Sequence, residues 1–208
     1  MGSCAMARMT GGGTLKTVLS KPRDPFDQPL TQRDLDDTPD DGNRYEVIEG
    51  KLYVTPFPDH AHQRAGTQLV AILVQHVSEQ GLGEVFMSGL KVVLDEPTGV
   101  GPDVVYIARE RMGGMRPDGY YGAPDLLVEV LSSRPSLDTK IKKDKYASAG
   151  VRYYWIADPA GRTLWEYRLE RGAYTLVAEV SGDDRFRPEL FPRLEIALGR
   201  LWAGSSAA

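Results

Sequence analysis

Two carboxylates, each beside an apolar run, are placed where they could do chemistry together. Asp103 comes directly before the apolar run 104–107, and Glu129 lies near the end of another apolar run, "LLVEVL", 26 residues later. A carboxylate in such a run is costly to bury unless something compensates its charge. If the two runs are neighbouring strands, both side chains reach one oxygen-rich site, which suits a hard divalent cation such as Mg²⁺ or Mn²⁺.

A lysine follows in the next segment, "SLDTKIKKDKYASAG", which the pattern predicts to be a helix. Asp138, Lys142 and Tyr146 are spaced at i, i+4 and i+8, so they share one helical face. A lysine beside a metal site can position or deprotonate a water, or stabilise a developing oxyanion. A metal site with a lysine is suited to hydrolysing a phosphodiester.

Each of these residues also has an ordinary interpretation. Asp103 follows a proline at a strand start, where an aspartate is commonly a turn or cap residue. Glu129 could lie on an exposed strand edge. Lys142 belongs to "TKIKKDK", a pattern typical of a solvated helix face.

Other polar residues are weaker candidates. His60 and His62 are two positions apart at a helix start, so their rings point in different directions and local roles are favoured. Asp125 reads as a turn residue at a strand entrance. Arg109, Arg111 and Arg116 lie in a Gly-rich segment predicted to be a loop, where they could hold a phosphate backbone or simply be solvated.

The surrounding pattern predicts a mixed α/β sheet flanked by helices. Residues 1–28 lack apolar periodicity and are expected to be a flexible tail, and residues 29–208 are expected to form a single domain. Alternation around Glu49-Gly50 and Arg171-Gly172 predicts an N-terminal and a C-terminal hairpin. One helix should start after Asp59 and end at Gly81, and a second should start at the N-cap Ser136 and end before Gly150. The intervening strands are predicted at 84–87, 90–94, 103–107, 126–131 and 151–158.

Composition sets the outer bounds. The 208 residues include 25 Lys and Arg against 29 Asp and Glu, giving a net charge of −4. Nothing in that balance indicates a polyanion binder, so nucleic acid would require a local basic patch. The single cysteine, Cys4, favours a reducing compartment, and we expect a cytoplasmic protein. No apolar run is long enough to predict a membrane span.

The long string "PDVVYI…APDLLVEVLSS…LDTKIKKDKYASAGVRYYWIAD", with "YEVIEG" upstream, resembles the Uma-type restriction endonuclease family of the PD-(D/E)XK nuclease superfamily. The similarity covers roughly residues 30–180. It implies a restriction-endonuclease-like core, to which the two hairpins are additions.

The resemblance assigns roles residue by residue. It implies that Asp103 and Glu129 are metal ligands and that the backbone carbonyl of Val130 completes the edge of the site. The superfamily pattern places a lysine at position 131, where this chain has Leu131, and Lys142 is the match in the next helix. Glu46 of "YEVIEG" matches an acidic position facing the same site. His62, Asp138 and Tyr146 are possible supporting residues.

Three functions follow from these observations. The first is a Mg²⁺-dependent nuclease acting on nucleic acid, with DNA as the expected partner. The second is a catalytically inactive nuclease-fold binding module for DNA or a protein partner, which the missing lysine at 131 favours and the intact acidic pair disfavours. The third is a metal hydrolase of another phosphate ester. A homodimer is expected from the resemblance alone.

Overall fold

A computed structural model describes residues 29–132 and 135–203. The expected tail, residues 1–28 with Cys4, lies outside the described residues. The strands are β1 (Arg44–Ile48), β2 (Lys51–Thr55), β3 (Gly83–Met87), β4 (Val92–Asp95), β5 (Thr98–Val100), β6 (Val104–Ala108), β7 (Met115–Arg116), β8 (Gly119–Tyr121), β9 (Leu126–Val130), β10 (Tyr153–Asp158), β11 (Thr163–Glu170), β12 (Ala173–Ser181), β13 (Arg185–Phe186) and β14 (Ile196–Ala197). The helices are α1 (His60–Gln80), α2 (Lys143–Ala149) and α3 (Gly199–Trp202), with 3₁₀ turns at Gln32–Asp37 and Arg109–Gly114 and a π-helical segment at Leu137–Lys142.

The predicted mixed α/β architecture is confirmed, but it contains two six-stranded sheets. The central sheet has the order β12-β11-β10-β9-β6-β3. Its β9–β10 pair is parallel, and its other pairs are antiparallel. The N-terminal sheet has the order β2-β1-β5-β4-β8-β7. The predicted C-terminal hairpin, β11 and β12, therefore extends the central sheet, while the N-terminal hairpin starts the second sheet.

The first hairpin and the first long helix form as the sequence predicts. Glu49 and Gly50 both have positive φ (50° and 78°), as a two-residue turn between twisted strands requires. Asp59 caps α1 by accepting a hydrogen bond from the His62 N–H at 2.9 Å. Gly81 ends the helix in the left-handed conformation, with φ of 62°.

Two local predictions are wrong. The segment 108–122 is not a loop but forms the 3₁₀ turn and strands β7 and β8, because β8 pairs with β4. Ser136 is not an N-cap: its backbone is already helical and its side chain makes no capping hydrogen bond. The π-helical segment carries Lys142 directly into α2.

The central sheet separates two hydrophobic cores. On one face, α1 and α3 cover it with Leu69, Leu73, Val77 and Leu201 among others. On the other face lie residues of the N-terminal sheet and of α2, including Ile48, Val92 and Tyr146. Among the described residues, no helix is both long and apolar enough to cross a membrane.

Candidate active site

Asp103 and Glu129 meet on one face of the central sheet. Strands β6 and β9 are antiparallel neighbours, with Val104 opposite Val128 and Val105 opposite Leu127. Continuing this register by one residue puts Asp103 opposite Glu129. Their strand neighbours Val105 and Leu127 belong to the core under the N-terminal sheet, so alternation directs both carboxylates to that face. Residues directly opposite each other in such a ladder have Cβ atoms about 5 Å apart.

Asp103 is held by three partners. Its Oδ1 accepts a hydrogen bond from the Arg44 guanidinium at 2.7 Å, and its Oδ2 accepts one from the Val130 N–H at 2.8 Å. His62 Nε2 lies 3.1 Å from the same Oδ2. Burial alone would raise the pKa of Asp103, but His62, Arg44 and the Val130 N–H outweigh it and lower the pKa to about 2. Asp103 is therefore ionised at neutral pH.

Glu129 is compensated by a lysine and a phenol. Its Oε1 accepts hydrogen bonds from Lys142 Nζ at 3.1 Å and from the Tyr146 hydroxyl at 2.7 Å. Glu129 is almost fully buried, with 1% of its surface exposed. Burial raises the pKa of Glu129 well above its usual value, and the charge of Lys142 opposes this only in part. The glutamate in the apolar strand is thus paired, although it remains electrostatically unfavourable.

Lys142 sits at the centre of an acidic cluster. Besides Glu129, its Nζ lies 2.9 Å from Glu46 Oε2 and 3.5 Å from Asp138 Oδ1. Burial would lower the pKa of Lys142, but these three carboxylates raise it above its ordinary value. The ammonium therefore stays protonated across the physiological range and cannot act as a base there. Burial also raises the pKa of Asp138, to about 6, against the opposing charge of Lys142.

The cluster has room and charge for a cation. A cavity of about 20 Å³ is lined by Arg44, His62, Asp103, Glu129, Asp138 and Lys142, among others. That volume holds roughly one water molecule or ion. When all are ionised, the negative charges exceed the two permanent cations, Arg44 and Lys142, by two. The four carboxylates are those of Glu46, Asp103, Glu129 and Asp138. The buried Glu46 Oε2 accepts no hydrogen bond, although the Lys142 ammonium lies close to it.

The carboxylates of this cluster are not arranged as a closed metal centre with several protein ligands. Within 29–132 and 135–203, no three His, Cys, Asp or Glu side chains are placed to share one metal ion. Mg²⁺ is commonly bound by one or two carboxylates, with water and substrate phosphate completing its shell. Asp103 and Glu129 fit a cation of that kind, and they do not fit a closed structural metal centre.

Some sequence candidates lie elsewhere. His60 is exposed, whereas His62, two residues on, is buried against Asp103. Lys143 belongs to "TKIKKDK", the segment whose pattern is typical of a solvated helix face, but its Nζ lies 3.6 Å from the ring centroid of Tyr167. Asp125 is a buried structural residue whose Oδ2 accepts the Ala108 N–H at 2.9 Å.

The arginines of the 109–116 segment make local contacts instead of lining this cavity. Arg111 donates to the Ala123 carbonyl at 2.7 Å, and Arg116 stacks 4.2 Å over Tyr121. Whether they contact a phosphate backbone outside this cavity stays a prediction.

Sequence reasoning missed Arg44, the cation that faces Asp103. Arg44 opens β1 two residues before Glu46, so both side chains point to the same face of the strand. That i, i+2 relation to an acidic candidate was the signal available in the sequence. Pairing of β1 with β5, which leads into Asp103, then brings the guanidinium to the site.

Comparison with known families decides the relationship. The family model Uma2, described as "Putative restriction endonuclease", matches residues 32–199. The chain belongs to the Uma2 family. The match includes Arg44, Glu46, Asp103, Glu129 and Lys142, so every side chain of the cluster lies within the Uma2 region.

A solved structure has the same fold as this Uma2-family chain. It is a crystal structure from Anabaena variabilis ATCC 29413 described as a "putative nuclease belonging to DUF820". The likeness has a TM-score of 0.68 at 22% sequence identity and covers 84% of this chain and 98% of that chain. No curated protein matches this chain.

Proposed function

We propose that this chain is a Mg²⁺-dependent nuclease that hydrolyses phosphodiester bonds, with DNA as its substrate. The observation that carries the proposal is the placement of Asp103 and Glu129 on one face of adjacent strands, lining a single small cavity with Lys142. Membership of a family described as "Putative restriction endonuclease" supports the same activity.

Asp103 and Glu129 would hold the cation, with the Val130 carbonyl as a further expected ligand. When bound, Mg²⁺ or Mn²⁺ supplies Lewis-acid polarisation of the phosphodiester and neutralises developing charge. Arg44 and His62 keep Asp103 ionised and fix its position. Because Lys142 stays protonated, its role is to keep Glu129 anionic and to stabilise negative charge, not to deprotonate water. Tyr146 fixes the orientation of Glu129 through its hydroxyl.

Cleavage of single- and double-stranded DNA with Mg²⁺, Mn²⁺ or EDTA tests this function. Asp103→Asn and Glu129→Gln should abolish the metal-dependent cleavage. Glu166→Gln is the matched control, because Glu166 is also a buried strand glutamate with a raised pKa. It pairs with Trp155 and so lies on the opposite face of the central sheet. Loss of cleavage in all three variants, or in none, would contradict the site assignment.

One observation favours the second candidate, an inactive binding module. Both oxygens of Asp103 already accept hydrogen bonds from protein groups, so a cation must compete with Arg44 for Oδ1. Isothermal titration with Mg²⁺ separates the two functions. A nuclease binds Mg²⁺, and Asp103→Asn abolishes that binding. A binding module gives no such Mg²⁺ binding, and its affinity for DNA is the same with and without the metal.

We also propose, from the resemblance, that the protein acts as a homodimer in the cytoplasm. Sedimentation of the full chain measures the first part directly. A monomer at micromolar concentration, with and without DNA, would contradict it.

A further inference from the structure

A second, larger cavity adjoins the acidic cluster. Its volume is about 410 Å³, and Asn43, Arg44, Phe57, Gln63 and Ser88 are among the residues that line it. That volume is within the range of small-ligand sites. The cavity shares Arg44, Pro56 and Pro58 with the small cavity that contains Asp103 and Glu129. A group bound in one cavity is therefore adjacent to a group bound in the other.

An exposed aromatic ring stands at this larger cavity. Phe57 is 72% exposed, more than any other large apolar side chain among the described residues. It lies between Pro56 and Pro58, in the short connection from β2 to the Asp59 cap of α1. Each proline fixes its own φ, and Pro58 also restricts the backbone of Phe57. The ring is thus presented on a stiff segment, and one edge rests over Gly42, where an added Cβ would lie 3.6 Å from Phe57 Cδ2.

The rest of the lining mixes apolar and polar side chains, and Arg44 is the cation that both cavities share. The Arg44 guanidinium contacts Asp103 at 2.7 Å and Ser88 Oγ at 3.3 Å, so it spans the boundary between the two cavities. Asn43 and Gln63 add amide groups, which can hydrogen-bond to the edge of a nucleobase. An aromatic face, hydrogen-bonding side chains and a guanidinium together match a nucleoside joined to a phosphate.

We propose that this cavity binds an unpaired nucleobase next to the scissile phosphate, with the base stacked on Phe57. The inference rests on the proposed nuclease function and adds a substrate class to it. A base inside a duplex is already stacked on both faces, so only a single-stranded or locally melted nucleotide can use the Phe57 ring. The preferred substrate is therefore single-stranded DNA or DNA with unpaired nucleotides.

Binding of a fluorescein-labelled oligo-dT strand, measured by anisotropy in EDTA so that no cleavage occurs, tests the proposal. Phe57→Ala should weaken binding about tenfold, since stacking on an aromatic side chain contributes that order of affinity per base. Phe57→Trp should retain the affinity, and its indole fluorescence should be quenched by the bound strand. Affinity for a blunt duplex should change less than about twofold in Phe57→Ala. The control is Leu176→Ala, because Leu176 is a 45% exposed apolar residue on β12, away from both cavities.

An abasic strand sharpens the test. Wild type and Phe57→Ala should bind it equally, because the base that stacks is missing. The stacking proposal is overturned if Phe57→Ala behaves like Leu176→Ala on oligo-dT, or if it weakens binding of the abasic strand as much as of the intact strand. If the wild type cleaves DNA and Phe57→Ala leaves the affinity for oligo-dT unchanged, this inference is wrong but the nuclease proposal still stands. Wild type that neither binds nor cleaves DNA would overturn both.

Discussion

Replacing Lys142 with methionine tests how the buried carboxylates are held in the folded protein. Methionine keeps an unbranched side chain of similar length but removes the charge. The Lys142 ammonium lies between 2.9 and 3.5 Å from oxygens of Glu46, Glu129 and Asp138. These carboxylates are all buried, with 1% of Glu46, 1% of Glu129 and 5% of Asp138 exposed. Without Lys142, three neighbouring carboxylates lose their shared counterion.

The expected loss is large because each contact is short. At an effective dielectric constant of about 20, an ion pair at these distances is worth roughly 5 kcal/mol before desolvation is counted. Desolvation of the charges and repulsion among the three carboxylates cancel most of the attraction summed over the three pairs. Removing one partner of a buried ion pair costs roughly 3–5 kcal/mol, and we expect Lys142→Met to lower the free energy of unfolding by that amount at about pH 7.5.

The loss should depend on pH in a definite direction. In the variant, the folded pKa values of Glu129 and Asp138 rise further above their unfolded values because the opposing charge of Lys142 is gone. The folded state therefore binds more protons than the unfolded state. Stability of the variant then increases as the pH falls from about 7.5 to about 5, and the deficit relative to wild type shrinks.

Urea unfolding of the metal-free proteins, followed by tryptophan fluorescence, measures both effects. Lys140→Met is the control, because Lys140 is exposed on the same helical segment and should change stability by no more than about 0.5 kcal/mol. A Lys142→Met loss below about 1 kcal/mol, or one that does not change with pH, would refute the assignment of Lys142 as the shared counterion.

Three further predictions concern the same cluster. Because the folded pKa of Asp138 is about 6 and exceeds its unfolded value, the free energy of unfolding of metal-free wild type should rise by about 1 kcal/mol between about pH 7 and pH 5. Urea titrations should show that Asp138→Asn removes this part of the rise, and an unchanged pH profile would count against it. Tyr146→Phe deletes the 2.7 Å hydrogen bond to Glu129 and should cost about 1–3 kcal/mol by the same assay; a neutral effect would mean that Glu129 does not need this donor. Mg²⁺ at about 100 times its dissociation constant should stabilise wild type by about 2.7 kcal/mol, seen as a raised melting temperature that Asp103→Asn lacks, whereas equal shifts in both proteins would place the cation elsewhere.

Local sequence patterns determined the elements that carry the site. The Glu49-Gly50 turn, the Asp59 and Gly81 ends of α1, and the strands around Asp103 and Glu129 all follow from near-neighbour chemistry: positive φ at a tight turn, capping of free N–H groups, and apolar alternation. The position of Glu129 in an otherwise apolar strand also indicated that its carboxylate needs a partner, because burying an unpaired carboxylate is costly in any fold.

Tertiary structure alone decided what those partners are. Arg44 reaches Asp103 across 59 residues, and Glu46 reaches Lys142 because β1 joins a second sheet that covers this face of the central sheet. The i, i+2 spacing of Arg44 and Glu46 indicates only that both face the same side of β1. It does not give their partners, because strand order and sheet packing depend on pairings between distant segments. The same packing explains why Lys142 and Lys145 of "TKIKKDK" are buried while Lys140 remains exposed. The sequence supplies the charges, but only the fold sets the distances at which they raise or lower one another's pKa values.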